Sequence, residues 1–294
     1  MDLTQRRRDA EEDGFNAEAR KRRKEDGMNR TGIEWCDWTW NPIVGCSPVS
    51  EGCKNCYAKR MARRLAANPK LPELTRDAYT LALSRDRREW ASPACLTLLL
   101  ERLGEPAKVK KPSRVFVCST SDLGHDSVRP EWRVFILMAM LAAPWHTYII
   151  LSKRPGPWME VFDVPRLRVW LGVTTENQAR ADERIPELLR YAAHAAVRFV
   201  SVEPMLGAVT LRRRIDRRYA CGCGGLCDPW QQCPMADHAQ LLDWVIAGPE
   251  TGPGARECHP EWIRSMGEEC GGARVPFFDK RKVGAMRREW PTGE

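Results

Sequence analysis

The sequence predicts an α/β fold built around a parallel sheet. Six short runs rich in β-branched and aromatic residues recur along the chain, and amphipathic stretches with helical periodicity separate most of them. A repeated order of strand, helix and strand is typical of parallel sheets. A partial barrel and a doubly wound sheet share this signature, and hydrophobic periodicity does not distinguish them.

The predicted elements follow one another in a regular order. A helix with basic residues is predicted over residues 58–65, and residues 67–112 are irregular to helical and rich in Arg and Pro. Amphipathic helices are predicted over 131–142, 178–191 and 260–270, and strands over 114–119, 147–152, 168–174, 197–202, 243–247 and 275–278. A further strand before residue 46 raises the strand count to six or seven.

Composition indicates a globular protein of the cytoplasm. The chain has 294 residues, enough for one large domain or two small ones. It contains no apolar run of the roughly 18 residues that a membrane-spanning helix needs, and its charged N-terminus has no apolar signal-peptide core. Twelve cysteines without an export signal indicate a reducing compartment, where thiols serve metals or chemistry rather than disulfides.

The formal net charge of +8 lies almost entirely outside the N-terminal segment. Residues 1–30 hold nine Lys/Arg and eight Asp/Glu, which predicts a charged tail, disordered or a fraying helix, ahead of a main domain over residues 31–294. Met28 stands just before this domain and is a candidate for an alternative start. The remaining excess of basic residues suits a polyanionic partner such as DNA, RNA or a nucleotide, although basic proteins without such partners are common.

The most specific motif is a loop with three cysteines. Cys46, Cys53 and Cys56 are spaced C-x6-C-x2-C, and two prolines and two glycines between residues 42 and 52 predict a fixed loop. Three thiolates can hold three irons of a cubane cluster and leave the fourth iron open to chemistry. Zinc is the main alternative and requires a fourth ligand from elsewhere in the chain. Disulfides are a third and weaker interpretation.

Three tryptophans, Trp35, Trp38 and Trp40, crowd the segment just ahead of this loop. One interpretation is that they pack in the core around the loop. The other is that they form a platform on which nucleobases stack.

Polar side chains follow the predicted strands at the points where the strands end. Because the carboxyl ends of parallel strands meet at one edge, we expect these side chains to form an active site there. A ligand with an amino group, a carboxylate and a ribose needs acceptors and a cation, and the strand ends supply both: Ser119–Asp122, Ser152–Pro155, Thr174–Asn177, Ser201–Pro204 and Gly248–Gly252. For Thr174 and Asn177, capping of a following helix is an equally good interpretation.

The cysteine loop carries a resemblance to a known family. The run Asn-Pro-x-x-Gly-Cys ending at Cys46, followed by Cys-x-x-Cys-Tyr-Ala, resembles the cluster loop of radical S-adenosylmethionine (SAM) enzymes, particularly the branch around spore photoproduct lyase. The usual spacing there is C-x3-C-x2-C. The longer first gap is similar to that of an uncharacterised family, common in phages and bacteria, that carries this three-cysteine motif. The similarity runs from about residue 31 to 283 and includes Ile33-Glu-Trp35, Thr39-Trp-Asn-Pro42, Ser121-Asp-Leu123, Ser152-Lys-Arg-Pro155, Ser201-Val-Glu-Pro204 and Gly248-Pro-Glu250.

The resemblance implies a fold and two cofactors. The expected fold is a partial (β/α)6 barrel of radical SAM type, with a [4Fe–4S] cluster on Cys46, Cys53 and Cys56. The second expected cofactor is SAM. In such loops the residue before the last cysteine is often aromatic and packs near the adenine. Here that residue is Asn55, with Tyr57 on the other side of Cys56.

The resemblance also implies roles for polar residues. Radical SAM enzymes hold the amino group of the methionine with a polar segment after the second strand, where this chain has Ser121 and Asp122. The lyase branch has a Thr-Lys-Ser-like segment on the next strand, where this chain has Lys153. The other residues expected to bind the cofactor are Thr174, Glu176, Glu203 and Tyr57.

Cys118 is the candidate catalytic thiol, because a cysteine near the Ser-Asp pair of the lyase branch can return a hydrogen atom to the product radical. Here Cys118 lies one residue further from the Asp. The alternative is a small buried thiol in a strand.

A second cysteine group lies between the fifth and sixth predicted strands. We interpret residues 212–240 as a small metal-binding insertion, because a glycine-rich segment of this length is too short to fold on its own apolar core. A structural zinc knuckle is one interpretation and an auxiliary iron–sulfur cluster the other, with the candidate ligands Cys221, Cys223, Cys227, Cys233 and His238. The adjoining basic run, residues 212–218, is predicted to contact phosphates.

Together these features predict a radical SAM-like enzyme. It would cleave SAM and abstract hydrogen from a substrate, most plausibly a nucleic acid base or a modified nucleotide in DNA modification or repair, with an electron donor as partner. The host cytoplasm is the expected location if the chain is phage-encoded. Two other hypotheses remain: a non-catalytic zinc or iron–sulfur protein that binds nucleic acid, and an electron-transfer or redox-sensing iron–sulfur protein.

Overall fold

An eight-stranded sheet organises the chain. The computed structural model describes residues 28–92, 95–216, 241–281 and 288–291. The strands of this sheet, in chain order, are β1 (Asn29–Arg30), β2 (Trp38–Trp40), β5 (Arg114–Val117), β6 (Thr147–Ser152), β7 (Arg168–Thr175), β8 (Val197–Val202), β9 (Trp244–Ala247) and β10 (Phe277–Asp279). β3 (Ile43–Val44) and β4 (Thr97–Leu98) form a separate antiparallel pair.

The order of the strands in the sheet decides between the two predicted architectures. From β2 to β10 the strands lie side by side in chain order and pair in parallel, while β1 pairs antiparallel with β2 at the edge. A doubly wound sheet reverses direction at a switch point. Because every crossover here advances in the same direction, the seven parallel strands curl into a half-barrel. The fold is therefore mixed α/β, and the doubly wound alternative is wrong.

Helices and short 3-10 turns connect the strands. The α-helices are α1 (Tyr57–Ala66), α2 (Glu73–Leu81), α3 (Glu105–Lys108), α4 (Pro130–Leu141), α5 (Gln178–Tyr191), α6 (Arg212–Ile215) and α7 (Pro260–Ala273), and the 3-10 turns are Glu51–Cys53, Leu100–Arg102 and Pro157–Phe162. The prediction for α5 is confirmed at both ends, and the predicted strands agree with the structure to within two residues at each end. None of the described helices combines the length and apolar character needed to cross a membrane.

The two faces of the sheet bury different side chains. The outer face carries mostly aliphatic residues and packs against the helices, and Trp38 and Trp40 belong to it. The concave face carries an aromatic cluster to which Trp35 belongs. All three tryptophans are buried, so the core-packing interpretation is confirmed.

The aromatic cluster fills the half-barrel toward the amino ends of the strands. Trp244 lies at its centre, with ring centroids 5.6 Å from Trp170 and 5.5 Å from Phe199. Gly172 leaves the space for Phe199, because a Cβ at this glycine would lie 2.4 Å from the phenyl ring. Further along β7 the next concave-face residue is Thr174, which pairs in register with Ser201. The carboxyl end of the half-barrel is therefore polar.

Candidate functional site

The three cysteines of the loop over residues 46–56 line one cavity at the carboxyl ends of β5, β6 and β7. All three thiols are free. Burial, together with the nearby Asp122, raises the pKa of Cys46 to about 12. Without a metal, Cys46 is therefore a neutral thiol at pH 7. Because metals bind the thiolate, a bound cation would replace this proton.

Ser47 is the first residue of the loop that is fastened, that is, hydrogen-bonded, to the half-barrel. Arg154 donates to the Ser47 carbonyl at 2.9 Å and to its hydroxyl at 3.1 Å, and the same guanidinium pairs with Asp122 at 3.1 Å. His125 Nε2 also lies 2.8 Å from the Ser47 hydroxyl. Since His125 Nδ1 accepts from the Ser127 backbone at 3.0 Å, Nε2 carries the proton and donates. Burial and Arg154 lower the pKa of His125, which favours this neutral form.

The Asp122 carboxylate makes its contacts with other groups of the protein. Besides Arg154, its carboxylate accepts from the Ser152 hydroxyl at 2.6 Å and from the backbone N–H groups of Gly124 at 2.9 Å and Lys153 at 3.1 Å. The sequence predicts a ligand-binding role for this residue. The structure gives it four protein partners, and these join the end of β6 to the cysteine loop through Arg154.

Glu176, directly after β7, contacts the loop at a second residue, Ser50. Its carboxylate is fully buried and accepts from the Ser50 hydroxyl at 2.7 Å. Two cations neutralise it: Arg184 at 3.1 Å and Lys153 at 3.3 Å. A buried carboxylate requires such pairing to remain charged. Glu176 therefore holds the loop through Ser50 while its own charge is neutralised by the two cations.

The sequence leaves helix capping and ligand binding open for both Asn177 and Thr174, and the structure places the two residues differently. Asn177 caps α5, accepting from the Arg180 backbone at 3.0 Å, and its side-chain amide donates to Glu51 of the cysteine loop. Thr174 lines the cavity. Its carbonyl accepts from Arg184 at 2.7 Å.

Glu250 holds the far side of the loop. Its carboxylate accepts from Asn55 at 2.9 Å and pairs with Arg256 at 2.6 Å. Arg256 also donates to the Glu51 carbonyl at 2.9 Å. The hydrogen bonds from Arg256 and Asn55 lower the pKa of Glu250 to about 2. The cysteine loop is thus bound at the ends of β5, β6, β7 and β9.

The other predicted cofactor-binding residues divide into two groups. Ser121, Lys153 and Tyr57 line the cavity with the cysteines, and Tyr57 is 45 % exposed there while its hydroxyl donates to the Ser119 carbonyl. Glu203 is not part of this lining. It pairs with Lys280 at 2.6 Å and accepts from Ser201 at 2.9 Å on the β8–β10 side of the half-barrel.

Cys118 also lines the cavity and is buried, with its backbone in the left-handed region at φ 58°. Burial raises the pKa of its thiol to about 12, so it is protonated at neutral pH. A neutral thiol beside the cavity retains the S–H bond that donation of a hydrogen atom requires. Whether it acts in this way stays a prediction.

Three residues at the site, His125, Arg184 and Arg256, were not predicted from the sequence. His125 and Arg256 fasten the loop from segments whose sequence resembles ordinary loops. Arg184 is a charge on the buried side of an amphipathic helix, and this misplaced polarity is the one signal that points to a buried partner.

The chemistry of the donor set fits an iron–sulfur cluster. Among residues 28–92, 95–216, 241–281 and 288–291, no three His, Cys, Asp or Glu side chains are grouped so as to hold one metal ion. In a cubane each thiolate binds a different iron, so the three thiols need to face a common cavity and need not meet at one point. The second cysteine group, with Cys221, Cys223, Cys227, Cys233 and His238, lies outside the described residues, as do Arg217 and Arg218 of the basic run.

Comparison with known proteins assigns a family. The chain belongs to the family described as Protein of unknown function (DUF5131), which it matches over residues 30–290. No curated protein and no solved structure matches the chain. The match covers the half-barrel, the cysteine loop and all of its fastening residues.

Proposed function

We propose that this protein is a radical SAM-like enzyme, related to the branch around spore photoproduct lyase and of the kind found in phages and bacteria. The observation that carries the proposal is the placement of Cys46, Cys53 and Cys56. Three free thiols of one loop open onto a single cavity at the carboxyl end of a half-barrel. In parallel β/α folds this end is where active sites form.

Cys46, Cys53 and Cys56 would hold a [4Fe–4S] cluster. When bound, this cluster would supply the one electron, taken from an external donor, that cleaves SAM to methionine and a 5′-deoxyadenosyl radical able to abstract hydrogen from a substrate. The chain itself holds the loop through hydrogen bonds of Arg154, Glu176 and Glu250. These contacts support the proposal because cofactor and substrate must be held in a fixed relative position for the transfer.

The cavity wall supplies the groups that SAM needs. Lys153 lines the cavity beside Ser121 and offers a cation to the carboxylate of the methionine part. Its own partner, Glu176, fixes the ammonium at 3.3 Å. Tyr57 presents a half-exposed ring to the adenine, and Thr174 offers a hydroxyl to the ribose. Cys118, which also lines the cavity, would return a hydrogen atom to a product radical.

The proposed substrate is a nucleic acid base or a modified nucleotide, processed in the cytoplasm with the help of an external electron donor. The net charge of +8 supports a polyanionic substrate. A non-catalytic nucleic-acid-binding protein would not need an open cavity beside its metal ligands. An electron-transfer protein would not need open space beside its cluster.

Metal analysis and SAM cleavage test the proposal together. Protein purified without oxygen should be brown and contain about four irons per chain in this site, and with a strong reductant it should form 5′-deoxyadenosine slowly without substrate. Cys46→Ala, Cys53→Ala and Cys56→Ala should each abolish both properties. Cys258→Ala is the matched control, since this partly buried cysteine lies outside the cavity.

The outcomes separate the alternatives. Colourless protein containing only zinc would remove the enzyme proposal in favour of a zinc-stabilised binding protein. A cluster that is reduced without any cleavage of SAM would favour electron transfer. Any one of the three loop variants that keeps both iron and activity would show that the ligand assignment is wrong.

A further inference from the structure

One segment that begins at the cavity carries a large surplus of positive charge. Residues 54–90 contain ten Lys/Arg and only four Asp/Glu, a surplus of six in a chain whose formal net charge is +8. This segment begins within the cysteine loop and comprises α1, α2 and a turn after α2. The surplus is therefore concentrated in a segment of which Cys56, Tyr57 and Ala58, near its start, line the cavity.

Helix α1 contributes the first three arginines. The helix begins directly after Cys56, and Arg60, Arg63 and Arg64 follow at spacings of three and four residues, which places them on adjoining parts of one helix face. Like charges at this spacing destabilise a helix by about 0.2–0.5 kcal/mol per pair. Folding alone gains nothing from this repulsion, whereas a bound polyanion would relieve it.

A tight turn contributes three more arginines. Leu83 and Trp90 form an antiparallel bridge, and the turn between them carries Arg85, Arg87 and Arg88 on its exposed tip. Arg87 has φ 57°, in the left-handed region that glycine or asparagine adopts more easily. An arginine at this position is costly for the turn, which again favours a role outside folding.

Two contacts bring the turn against α1. Lys59 pairs with Glu89 at 2.7 Å, and Arg63 donates to the Arg88 carbonyl at 3.3 Å. The six arginines thereby form one surface, the arginine face: Arg60, Arg63, Arg64, Arg85, Arg87 and Arg88.

The arginine face is poorly neutralised by the protein. Within the part of the chain that the structure describes, its only ion pair joins Arg88 to Asp86, at a distance of 4.0 Å on the surface. Two of the three arginines on α1 contact backbone carbonyls instead: Arg60 donates to the Thr251 carbonyl at 3.4 Å, and Arg63 donates to the Arg88 carbonyl. Guanidinium groups match phosphate oxygens in geometry and charge.

We propose that the arginine face binds the sugar–phosphate backbone of a nucleic acid strand and directs one of its bases into the cavity. A base must leave its stack to reach a buried reactive site, so a single strand or an extruded base is the form that fits. Binding by this face stands on the charges alone, and the delivery of a base rests on the proposed function. This location differs from the basic run at residues 212–218 that the sequence singles out.

The test compares two triple variants with equal loss of charge. Arg63, Arg64 and Arg87 are changed to Gln in the first. The control changes Lys111, Arg166 and Arg190 to Gln, which are also exposed but lie near the amino ends of the strands. Binding to labelled single-stranded DNA, single-stranded RNA and duplex DNA of about 20 nucleotides is followed by fluorescence anisotropy over a range of salt concentrations.

The expected results follow from the release of counterions. Each lost contact with a single strand removes about 0.7 from the slope of log K against log salt, so the first variant should lose about 2 in slope and bind about 100-fold more weakly at 0.1 M salt. The control should keep the slope of the wild type. The three probes distinguish DNA from RNA and single strands from duplexes.

Two results would overturn the proposal. One is an equal slope in both variants, and the other is salt-insensitive or undetectable binding of all three probes, which would point to a small-molecule or protein partner. If circular dichroism shows that the first variant is unfolded, hydrogen exchange of the wild type provides the test. A bound strand should protect residues 57–66 and 84–89, and lack of protection would show that the arginine face is not the binding surface. Formation of 5′-deoxyadenosine without substrate, measured on the same samples, tests the proposed function separately.

Discussion

Gly52 is the residue at which the cysteine loop comes closest to its support. A Cβ built at this position would lie 2.4 Å from Glu176 Oε1 and 2.5 Å from its Cγ. Ordinary contact begins near 3.4 Å, so Gly52→Ala requires the two groups to separate by about 1 Å. Glu176 has little freedom to yield, because it is fully buried and paired with Arg184 and Lys153. We therefore expect the loop to move.

The cost of this substitution can be bounded. Overpacking of a well-packed site costs about 1–3 kcal/mol, and in a domain of this size each kcal/mol lowers the Tm by roughly 2–4 °C. Gly52→Ala should thus lower the Tm by about 2–12 °C. Because Cys53 is the next residue, displacement of the loop should also lower the iron bound after reconstitution.

Thermal unfolding followed by circular dichroism measures the first effect, and iron analysis the second. Gly104→Ala is the matched control, since a Cβ at this exposed glycine meets nothing within 4 Å. The control should unfold like the wild type. A Gly52→Ala protein that matches the wild type in Tm and iron content would refute the contact as a constraint, and an equal loss in the control would show a general effect of alanine.

Two further predictions concern the fastening residues. Since Arg256 and Asn55 lower the pKa of Glu250 from 4.5 to about 2, its stabilising effect is present above about pH 4.5 and disappears as the pH falls toward 2. Glu250→Gln should therefore unfold at a lower temperature than the wild type at pH 7 and at the same temperature near pH 2, whereas Glu257→Gln, an exposed neighbour, should match the wild type at both. Arg154→Lys keeps the charge but cannot contact Asp122 and the Ser47 carbonyl at the same time. It should lower the free energy of unfolding, measured with denaturant, by about 1–3 kcal/mol. An unchanged midpoint would show that charge alone fastens the loop at this point.

The order and type of the main elements could be read from the sequence. Strands β6 and β8 and helix α5 have the predicted bounds, because alternation of apolar residues along a strand and their recurrence along a helix are local properties. The cysteine loop could be predicted as well, since prolines fix the backbone locally and glycines permit tight turns wherever they stand. The polar ends of the strands were also visible, because each follows directly on an apolar run.

The tertiary structure decided what those polar residues contact. Asp122 and Glu250 carry the residue types expected of a ligand site, yet their partners are Arg154 and Arg256, and the loop they fasten lies far away in the sequence. The choice of a half-barrel over a doubly wound sheet was likewise non-local, because it depends on which strands pair. Sequence periodicity reports the local burial of each residue. Partners are fixed only when the chain closes and buried charges must find neutralising groups.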